Sequence, residues 1–565
     1  MSGGWGPKDL VFLALGGAGE IGMNLNLYGH AGKWLMVDLG ITFPGEGHPG
    51  IDVITPDPSF IVDRRDDLLG LVLTHAHEDH LGAVPYLWPS LRCPVYATPF
   101  SAAVLRAKLA EVGLLREVPL TEVPLGARLD LGPFGIEFLS ITHSIPEPNA
   151  LIIRTPLGTV LHTGDWKLDP APVVGEATDE AAFRKVGDDG VLALVCDSTN
   201  VFTRGHSGSE GALHDSLSKL MADRKGRVAV TTFSSNIARL LTVARVAREH
   251  DRHLAVVGRS LLRMLECARL TGYADGLGEV LHEAEGGHLP ADKVVYLCTG
   301  CQGEPRGAMA RIAAGEHRHI YLEAGDLAIF SSKVIPGNEA AIARVQNRLI
   351  AGGVQVIGEH DAFVHVSGHP CRDELAEMYR WARPRIAVPV HGELRHIVEH
   401  AALAASLQVL ETPAIRNGQV LRLAPGPAMV VEAVPAGRWY VDEGVLLPEG
   451  AQAMRDRRKL MHAGTAQATL VLDQHGDPAA PPRLSLTGIS SRDHAKLARA
   501  GEKALVEMLE ELPPASLQDD ARLEEMTRRA LNAVLRQDGG KRPLVTVQIV
   551  RLDPPGRTGR RRGKR

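Results

Sequence analysis

Residues 74–80 read THAHEDH and directly follow the apolar run LLGLVL. Imidazole and carboxylate groups, which dominate this stretch, are good ligands for zinc and similar divalent metals. At the end of a strand that turns into a helix, His75 and His77 face one way, because alternate residues of a strand share a side. Asp79 and His80 fall one helical step later and can face a neighbouring point. The spacing therefore predicts two ligands for each of two adjacent metal ions.

Three other apolar runs end in a residue that could complete these two sets of ligands. His143 closes FLSITH, Asp165 closes VLHTGD and His391 closes IAVPVH. In layered α/β folds the carboxyl ends of strands are where sites collect, and a carboxylate such as Asp165 can bridge two metal ions. Unrelated surface histidines would explain one such strand end, but not the pattern H-x-H-x-D-H together with three more.

The composition is that of an ordinary globular protein, with 44% hydrophobic and 23% charged residues among 565. This length exceeds what one core holds and predicts about three domains. No apolar stretch approaches the roughly 20 residues that span a bilayer, and the start of the chain, MSGGWGPKDL, does not read as a secretory signal. The six scattered cysteines suit a reducing compartment. We therefore expect a cytoplasmic protein that is not held in a membrane.

The charge distribution limits how this chain could bind a polyanion. The formal net charge is −5, so any binding of nucleic acid requires local basic patches. The stretch 551–565, RLDPPGRTGRRRGKR, holds seven Arg or Lys residues and one Asp. It could bind phosphates or remain a solvated disordered tail, and the sequence leaves both open.

The order of the apolar patterns predicts one domain inserted into another. Short apolar runs separated by Gly, Pro and Asp predict buried strands up to residue 208. Helical and strand patterns then alternate as in a parallel sheet, and strands that end in histidine return after residue 360. The predicted bounds are 1–208 and 361–435 for the first domain, 209–360 for the insert, 436–465 for a linker, 466–552 for a small C-terminal α/β domain and 553–565 for the basic tail.

Two motifs suggest nucleotide binding and a zinc site, but the residues around them favour a structural role for each. GAGEIG at residues 17–22 follows a strand, and Asp38 lies at the spacing of a dinucleotide-binding fingerprint. The residues after the glycines predict a β-hairpin, which lacks the helix N-terminus that would hold a pyrophosphate. Cys298 and Cys301 form a CxxC pair, but no second pair is nearby to complete a four-ligand zinc site.

Ten stretches between about residue 10 and residue 395 carry a family resemblance. In chain order they are LGGAGEIGMN, LTHAHEDHLGAVPYL, THSIPEP, HTGDWKLDP, CDSTN, FSSNIAR, TGCQGEP, FSSKVIPGNE, HVSGHP and PVHGE. The chain thereby resembles the β-CASP nucleases of the metallo-β-lactamase superfamily and, within them, ribonuclease J. The resemblance implies a metallo-β-lactamase αββα sandwich with an inserted β-CASP α/β domain and a small C-terminal α/β domain.

The resemblance also implies which residues hold metal and which act in catalysis. The implied ligands are His75, His77 and His143 for one metal ion, Asp79, His80 and His391 for the other, and Asp165 as the bridge. The implied catalytic residues are Asp38, which orients the ligands, Asp79, Asp165, and the pair Asp197 and His369, which handles protons. An imidazole backed by a carboxylate can deliver the proton that a leaving 3′-oxygen needs. Two divalent ions are expected per chain, Zn²⁺ first and Mn²⁺ as the alternative.

Two further stretches are implied to bind the phosphates of a nucleotide. They are FSSN and HVSGH, with Ser234, Ser235, Asn236, His365, Ser367, Gly368 and His369 as the candidate residues. Hydroxyl, amide and backbone N–H groups suit the acceptor oxygens of a phosphate, although each residue could instead belong to a turn or a strand end. The insert is expected to clamp RNA, and Arg239, Arg259 and Arg263 are candidates for the wall of its channel or for ordinary solvated helix charges.

The implied activity is two-metal hydrolysis of RNA phosphodiesters. We expect a 5′→3′ exoribonuclease that prefers 5′-monophosphate ends and also cuts internally, acting in messenger decay and ribosomal RNA maturation. The expected partners are single-stranded RNA, further copies of the chain in a homodimer or homotetramer, and other RNA-decay proteins. The rival functions are a DNA-processing β-CASP nuclease, a small-molecule metallo-hydrolase and a non-catalytic scaffold.

Overall fold

A computed structural model of the chain describes residues 4–45, 47–539 and 541–552. The basic tail predicted at 553–565 lies outside these residues. The chain divides into two compact units. The larger consists of Met1–Phe43 with Asp52–Leu446, and the smaller of Pro44–Ile51 with Leu447–Arg565.

The segment before the insert is built mainly of strands, and most of them coincide with the predicted apolar runs. Its strands are β1 Leu10–Gly16, β2 Ala18–Gly19, β3 Leu25–His30, β4 Lys33–Val37, β5 Val53–Pro56, β6 Leu68–Val72, β7 Val95–Ala97, β8 Leu120–Glu122, β9 Arg128–Leu131, β10 Phe134–Ser140, β11 Asn149–Thr155, β12 Gly158–His162 and β13 Ala193–Asp197. Its helices are α1 Ser59–Val62, α2 Glu78–Leu81, α3 Val84–Leu91, α4 Pro99–Glu111 and α5 Glu180–Asp189.

The insert alternates strands and helices, as its sequence predicts. Its strands are β14 Val228–Thr231, β15 His253–Val257, β16 Val280–His282, β17 Val294–Cys298, β18 Leu327–Phe330 and β19 Gln355–Ile357. Its helices are α6 Leu213–Met221, α7 Ile237–Glu249, α8 Arg259–Leu270, α9 Glu283–Gly286, α10 Ala308–Ala313 and α11 Glu339–Ala351. All five strand pairs are parallel, and the sheet order is β16-β15-β17-β14-β18-β19.

The chain then returns to the first domain and ends in the smaller unit. The returning elements are α12 Arg372–Ala382, β20 Ile386–Val390, β21 Gly392–Glu393, α13 Leu394–Ser406, β22 Gln419–Ala424, β23 Met429–Ala433, β24 Arg438–Asp442 and β25 Val445–Pro448. They are followed by α14 Gln452–Ala463, β26 Thr465–Leu472, β27 Pro478–Thr487, α15 His494–Glu511, α16 Pro514–Leu517, α17 Asp520–Gly539 and β28 Leu544–Arg551.

Two mixed sheets pack face to face to form the first domain. One has the order β23-β22-β1-β3-β4-β6-β7-β8 and the other the order β20-β13-β12-β11-β10-β9. The returning strands complete both sheets, because β22 pairs with β1 and β20 pairs with β13. This confirms the predicted insertion of one domain into another.

The alternation of side chains along buried strands explains why both faces of each sheet are covered. In β1, Leu10 and Phe12 enter the core between the sheets, whereas Val11 and Leu13 face the core under α1, α3 and α4. The second sheet likewise packs its outer face on α5, α12 and α13. The result is the predicted αββα sandwich, with helices on both outer faces.

The C-terminal domain forms as predicted, but residues 436–465 are not an irregular linker. They hold β24, β25 and α14, and β24 pairs with β5 through Tyr440 and Ile54. Tyr440 and Val441 are buried, and their packing orders a segment that the sequence predicted to be a linker. In the smaller unit β26 lies between β27 and β28, and α15 and α17 pack on this sheet.

The strand pairing confirms the prediction for the glycine motif. β3 and β4 form the antiparallel hairpin expected after the glycine motif. All six cysteines are free and buried, and burial raises the pKa of the Cys301 thiol to about 12. Among the described residues, the side-chain groups that could hold a metal ion do not include Cys298 or Cys301. None of the described helices combines the length and apolar character needed to cross a bilayer.

Candidate active site

The heptapeptide of residues 74–80 adopts the predicted turn from strand into helix. β6 ends at Val72, His77 is extended with φ −69° and ψ 151°, and α2 begins at the next residue. The change from extended to helical backbone separates His75 and His77 from Asp79 and His80. Each pair then meets residues that come from distant strand ends.

His75, His77 and His143 form a first group of possible metal ligands, and His143 also lies in an overlapping group with Asp165 and His369. The Nδ1 of His77 lies 3.1 Å from Nε2 of His75 and 3.0 Å from Nε2 of His143. Burial is the largest cause that lowers the pKa of all three imidazoles, and it lowers that of His77 to about 4. These rings are therefore neutral near pH 7, which is the form that binds a metal ion.

Asp79, His80, Asp165 and His391 form the second group. Nε2 of His80 lies 3.1 Å from Oδ2 of Asp165 and 3.7 Å from Oδ2 of Asp79. Burial alone would raise the pKa of the Asp165 carboxyl, but His391 and His80 hold it well below its usual value. Asp165 is therefore ionised and lies where it can serve both groups.

Asp38 fixes the orientation of one of these histidines from a backbone conformation that few residues adopt. It has a φ of 62° and is fully buried. Its carboxylate accepts hydrogen bonds from the backbone N–H and the hydroxyl of Thr74, and lies 2.7 Å from Nδ1 of His80. Because Nδ1 is held in this way, Nε2 of His80 is left to face Asp165.

The glycine motif at residues 17–22 supports the second group instead of holding a nucleotide. The backbone oxygen of Gly17 accepts a hydrogen bond from the N–H of His391, and β2 pairs with β21 directly after His391. Gly22 has a φ of +85°, and a Cβ there would lie 3.3 Å from that of Asp79. A side chain at Gly22 would therefore both strain the backbone and press on a candidate ligand.

The two groups fit divalent metal ions. The first group offers three neutral imidazoles, and the second combines two imidazoles with two carboxylates. The donor atoms within each group all lie within 4.8 Å of one another. Nε2 of His391 is buried and, among the described residues, has no hydrogen-bond partner. A buried polar atom of this kind is costly unless something binds it, and a metal ion would.

Asp197 and His369 lie beside the metal groups as a hydrogen-bonded pair. Oδ2 of Asp197 is 2.8 Å from Nδ1 of His369, and its Oδ1 accepts hydrogen bonds from the N–H and hydroxyl of Thr199. Burial lowers the pKa of His369, but Asp197 and Asp165 outweigh it and raise that pKa to about 9. The ring can therefore carry a proton at the edge of the site.

The loop HVSGH brings phosphate-binding candidates to the metal groups. It is not a strand, although its apolar residues resemble those of the neighbouring strands. The backbone oxygen of Gly368 accepts a hydrogen bond from Nδ1 of His143, and the hydroxyl of Ser367 accepts from Asn200 and from the N–H of His369. Nδ1 of His365 is buried and has no hydrogen-bond partner among the described residues.

The second predicted phosphate element, FSSN, follows β14 at the carboxyl edge of the insert's sheet. Ser234 and Ser235 are half-buried there. Asn236 is nearly fully buried, caps α7 by accepting from the N–H of Arg239, and donates to Glu210. Asn236 is therefore occupied as a helix cap, which is the structural alternative that the sequence left open. Ser234 and Ser235 remain the candidates in FSSN whose hydroxyls could bind a phosphate.

Arg239 is not part of a channel wall, because its side chain is completely buried. The guanidinium pairs with Glu210 at 3.0 Å and donates to the backbone oxygens of Ser331 and Val364. It therefore joins the insert to the start of the HVSGH loop. A buried charge can persist there because every donor has a partner.

The two other arginines proposed for the channel wall differ from Arg239. Arg259 is exposed at the start of α8. Arg263 pairs with Glu111 at 2.6 Å across the first domain and the insert. Among the described residues, no hydrogen bond or ion pair joins either of them to the metal groups.

Several residues of the site were not predicted, although three of them lie in stretches quoted for the resemblance. The amide nitrogen of Asn24 lies 3.1 Å from Nε2 of His80 and 3.1 Å from Nδ1 of His391. Asn200 bridges Ser367 and Lys333, and Glu210 neutralises Arg239. These side chains contact candidate metal-binding residues or the proposed binding loops. The spacing of residues in the sequence does not predict such contacts.

Family matches cover nearly the whole chain. Residues 22–231 match the metallo-beta-lactamase superfamily, 225–349 the ribonuclease J beta-CASP domain, 353–410 the Zn-dependent metallo-hydrolase RNA specificity domain, and 452–552 the ribonuclease J C-terminal domain. A ribonuclease J from Sinorhizobium meliloti is 46% identical over 96% of this chain and 98% of its own length. The chain belongs to the ribonuclease J family.

Other members of the family are similar over most of their length. A ribonuclease J from Corynebacterium glutamicum is 38% identical over 96% of this chain and 76% of its own. A ribonuclease J from Mycobacterium tuberculosis strain H37Rv is 37% identical over 95% of this chain and 97% of its own. Membership of the ribonuclease J family supports a metal-dependent nuclease that acts on RNA, and the metallo-β-lactamase match supports divalent metal binding.

Proposed function

We propose that the chain is a two-metal ribonuclease that degrades RNA from the 5′ end and also cuts it internally. The observation that carries this proposal is the meeting of two groups of ligands with the Asp197–His369 pair and the HVSGH loop. The first group is His75, His77 and His143, the second is Asp79, His80 and His391, and Asp165 faces both. Zn²⁺ is the proposed metal, with Mn²⁺ as the alternative.

Two divalent ions bound there would activate a water molecule and stabilise the charge of an in-line displacement at phosphorus. Asp38 holds His80 in the orientation that directs Nε2 toward Asp165. His369, held by Asp197, donates a proton to the leaving 3′-oxygen. Because the carboxylate keeps the imidazole protonated near neutral pH, the proton is available when the bond breaks.

The direction of degradation follows from the pocket beside the metal groups. Ser234, Ser235, His365, Ser367 and the backbone of Gly368 are the groups that we propose bind the terminal 5′-phosphate. A chain end seated there places the next phosphodiester bond at the metals, so nucleotides leave one at a time. RNA that crosses the site without using the pocket is cut internally.

A preference among 5′ ends tests this function directly. RNA with a 5′-monophosphate should be degraded faster than the same RNA with a 5′-triphosphate, because a closed pocket excludes the two additional phosphates. Digestion of end-labelled RNA, with chelator and then with Zn²⁺ or Mn²⁺ added back, reports polarity, end preference and ion identity. Equal rates on both ends would contradict the pocket.

A DNA-processing nuclease of the same fold is the second candidate. Matched RNA and DNA oligomers separate the two functions, since an RNA-specific site must contact the 2′-hydroxyl.

We also propose roles in messenger decay and ribosomal RNA maturation in the cytoplasm, with the chain assembled as a homodimer or homotetramer alongside other RNA-decay proteins. The proposed domain bounds remain 1–208 with 361–435, 209–360 and 466–552.

A further inference from the structure

The phosphate pocket of the proposed function needs a positive charge, and three cations lie near it. A 5′-monophosphate carries close to two negative charges at neutral pH. Burial lowers the pKa of His365 well below its usual value, and Arg239, Lys333 and Lys167 lower it further. His365 is therefore neutral, and a charge that meets a phosphate beside it can come from one of these three cations.

Two of these three cations are already neutralised inside the protein. Arg239 is buried against Glu210 at 3.0 Å. Lys167 is buried against Asp169 at 2.9 Å and donates to the backbone oxygen of Gly208. Neither is free to pair with a ligand, because moving toward it would leave a buried carboxylate alone.

Lys333 differs from both in exposure and in partners. It is exposed, and no carboxylate of the described residues lies within ion-pair distance of its ammonium group. Its Nζ donates to the amide oxygen of Asn200 at 3.0 Å. The nitrogen of that amide donates to the Ser367 hydroxyl at 2.7 Å and to the backbone oxygen of His369 at 3.0 Å. One neutral side chain thus separates Lys333 from the HVSGH loop.

The backbone around Lys333 is held in place before any ligand arrives. Gln302 donates to the backbone oxygen of Lys333 at 2.8 Å and accepts from the N–H of Ile335 at 3.0 Å. Two residues earlier, the Ser331 hydroxyl donates to the backbone oxygen of Val364, the neighbour of His365. The segment that carries Lys333 therefore runs beside the start of the HVSGH loop.

Sheet topology places the segment that carries this lysine at the same sheet edge as the other proposed phosphate element. β14 and β18 are parallel neighbours, and their carboxyl ends lead into FSSN and into Ser331–Lys333 respectively. Adjacent parallel strands deliver the residues that follow them to one edge of a sheet, where anionic ligands commonly bind.

We propose that Lys333 determines specificity by pairing with the terminal 5′-phosphate of RNA in this pocket. The inference rests on the proposed function and adds the charged group that distinguishes a phosphorylated end from a hydroxyl end. A phosphate oxygen would take the place of, or share, the hydrogen bond that Asn200 now accepts. A charge-assisted hydrogen bond of this kind changes affinity by about tenfold or more.

The test compares three variants on three RNAs of one sequence. The variants are Lys333→Met, which removes the charge, Lys333→Arg, which keeps it, and Lys225→Met, which removes an exposed charge before the opposite end of β14. Two of the substrates are linear and carry either a 5′-monophosphate or a 5′-hydroxyl. The third is circular and has no 5′ end. Rates and KM are measured for each combination.

The expected result is a rise of about tenfold in KM for the 5′-monophosphate RNA with Lys333→Met. The preference for this RNA over the 5′-hydroxyl RNA should largely disappear, and cleavage of circular RNA should fall much less. Lys333→Arg should retain most of the preference, and Lys225→Met should match the unaltered chain.

Three outcomes would overturn the inference, and they differ in whether the proposed function also fails. If Lys333→Met keeps the full preference, the lysine does not bind the phosphate while the proposed function stands. If it impairs all three RNAs equally, the role is structural. If the unaltered chain itself shows no preference for a 5′-monophosphate, the proposed pocket fails and the inference fails with it.

Discussion

His143 and Gly368 are joined by a hydrogen bond from the imidazole Nδ1 to the backbone oxygen, although 225 positions separate them in the chain. The bond leaves Nε2 of His143 directed at His77, within the first group of metal ligands. A residue of the proposed phosphate-binding loop therefore sets the orientation of a candidate metal ligand, and the two proposed parts of the site depend on each other.

Replacing Gly368 with alanine should disturb both the first group of metal ligands and the HVSGH loop. A Cβ there would lie 2.8 Å from the Ser144 hydroxyl and 2.9 Å from Cε1 of His143, so the ring must shift. We expect weaker metal binding and a loss of activity in the range of 10- to 100-fold, as for other groups that orient metal ligands. Metal content and cleavage rate are measured together.

The matched control for this change is Gly358→Ala. Gly358 precedes the same loop, and its nearest neighbour would be 3.8 Å from a new Cβ, an ordinary contact. Normal metal content and activity in Gly368→Ala would show that the hydrogen bond does not hold His143 in a necessary position.

Metal removal should lower thermal stability as well as activity. Metal bound only by the folded chain stabilises it by about 2.7 kcal/mol at a hundredfold excess over Kd. Chelation should therefore lower the unfolding temperature, and Zn²⁺ should restore it. His77→Ala should reduce this response, because it removes a ligand of the first metal ion, whereas His253→Ala, at the exposed start of β15, should preserve it. An unchanged response in His77→Ala would exclude His77 as a ligand.

Removing Asp197 or His369, the proposed proton-handling pair, should affect turnover more than binding. His369→Ala is expected to lower kcat by about 10²- to 10⁴-fold with little change in KM, since proton transfer acts in the transition state. Asp197→Asn should lower kcat as well, because Asp197 holds the ring at 2.8 Å. The double variant should be no slower than the worse single one, and additive losses measured in single-turnover assays would contradict a shared role.

Glu210→Gln should destabilise the chain, because it leaves Arg239 buried without a counter-charge. The Arg239 side chain is 0% exposed and that of Glu210 is 3% exposed. Breaking such a pair costs about 3–5 kcal/mol, measured as a change in the free energy of unfolding.

The control is Glu180→Gln, which breaks an exposed pair with Arg184 on α5. Both side chains of that pair are 53% exposed, so we expect a loss of about 1 kcal/mol or less. Similar losses in Glu180→Gln and Glu210→Gln would mean that burial does not strengthen the dependence of Arg239 on its partner.

Much of the fold could be predicted because it depends on local patterns. Apolar alternation located the strands of the sandwich, and the return of strands after residue 360 revealed the insertion. The irregular loop at HVSGH and the ordered elements at 436–465 were missed. In both, contacts with distant residues such as Arg239 and β5 decide the backbone, and neither contact leaves a periodic signal.

The sequence by itself determined the chemistry of the metal groups, since residue type and spacing fix which donors stand at each strand end. Tertiary structure decided which charges remain available to a ligand. Arg239 and Lys333 are both cations near His365, yet one is buried against Glu210 and the other is exposed beside a neutral amide. That difference arises from packing between segments that are 29 residues apart for Arg239 and Glu210 and 133 residues apart for Lys333 and Asn200, which no local pattern records.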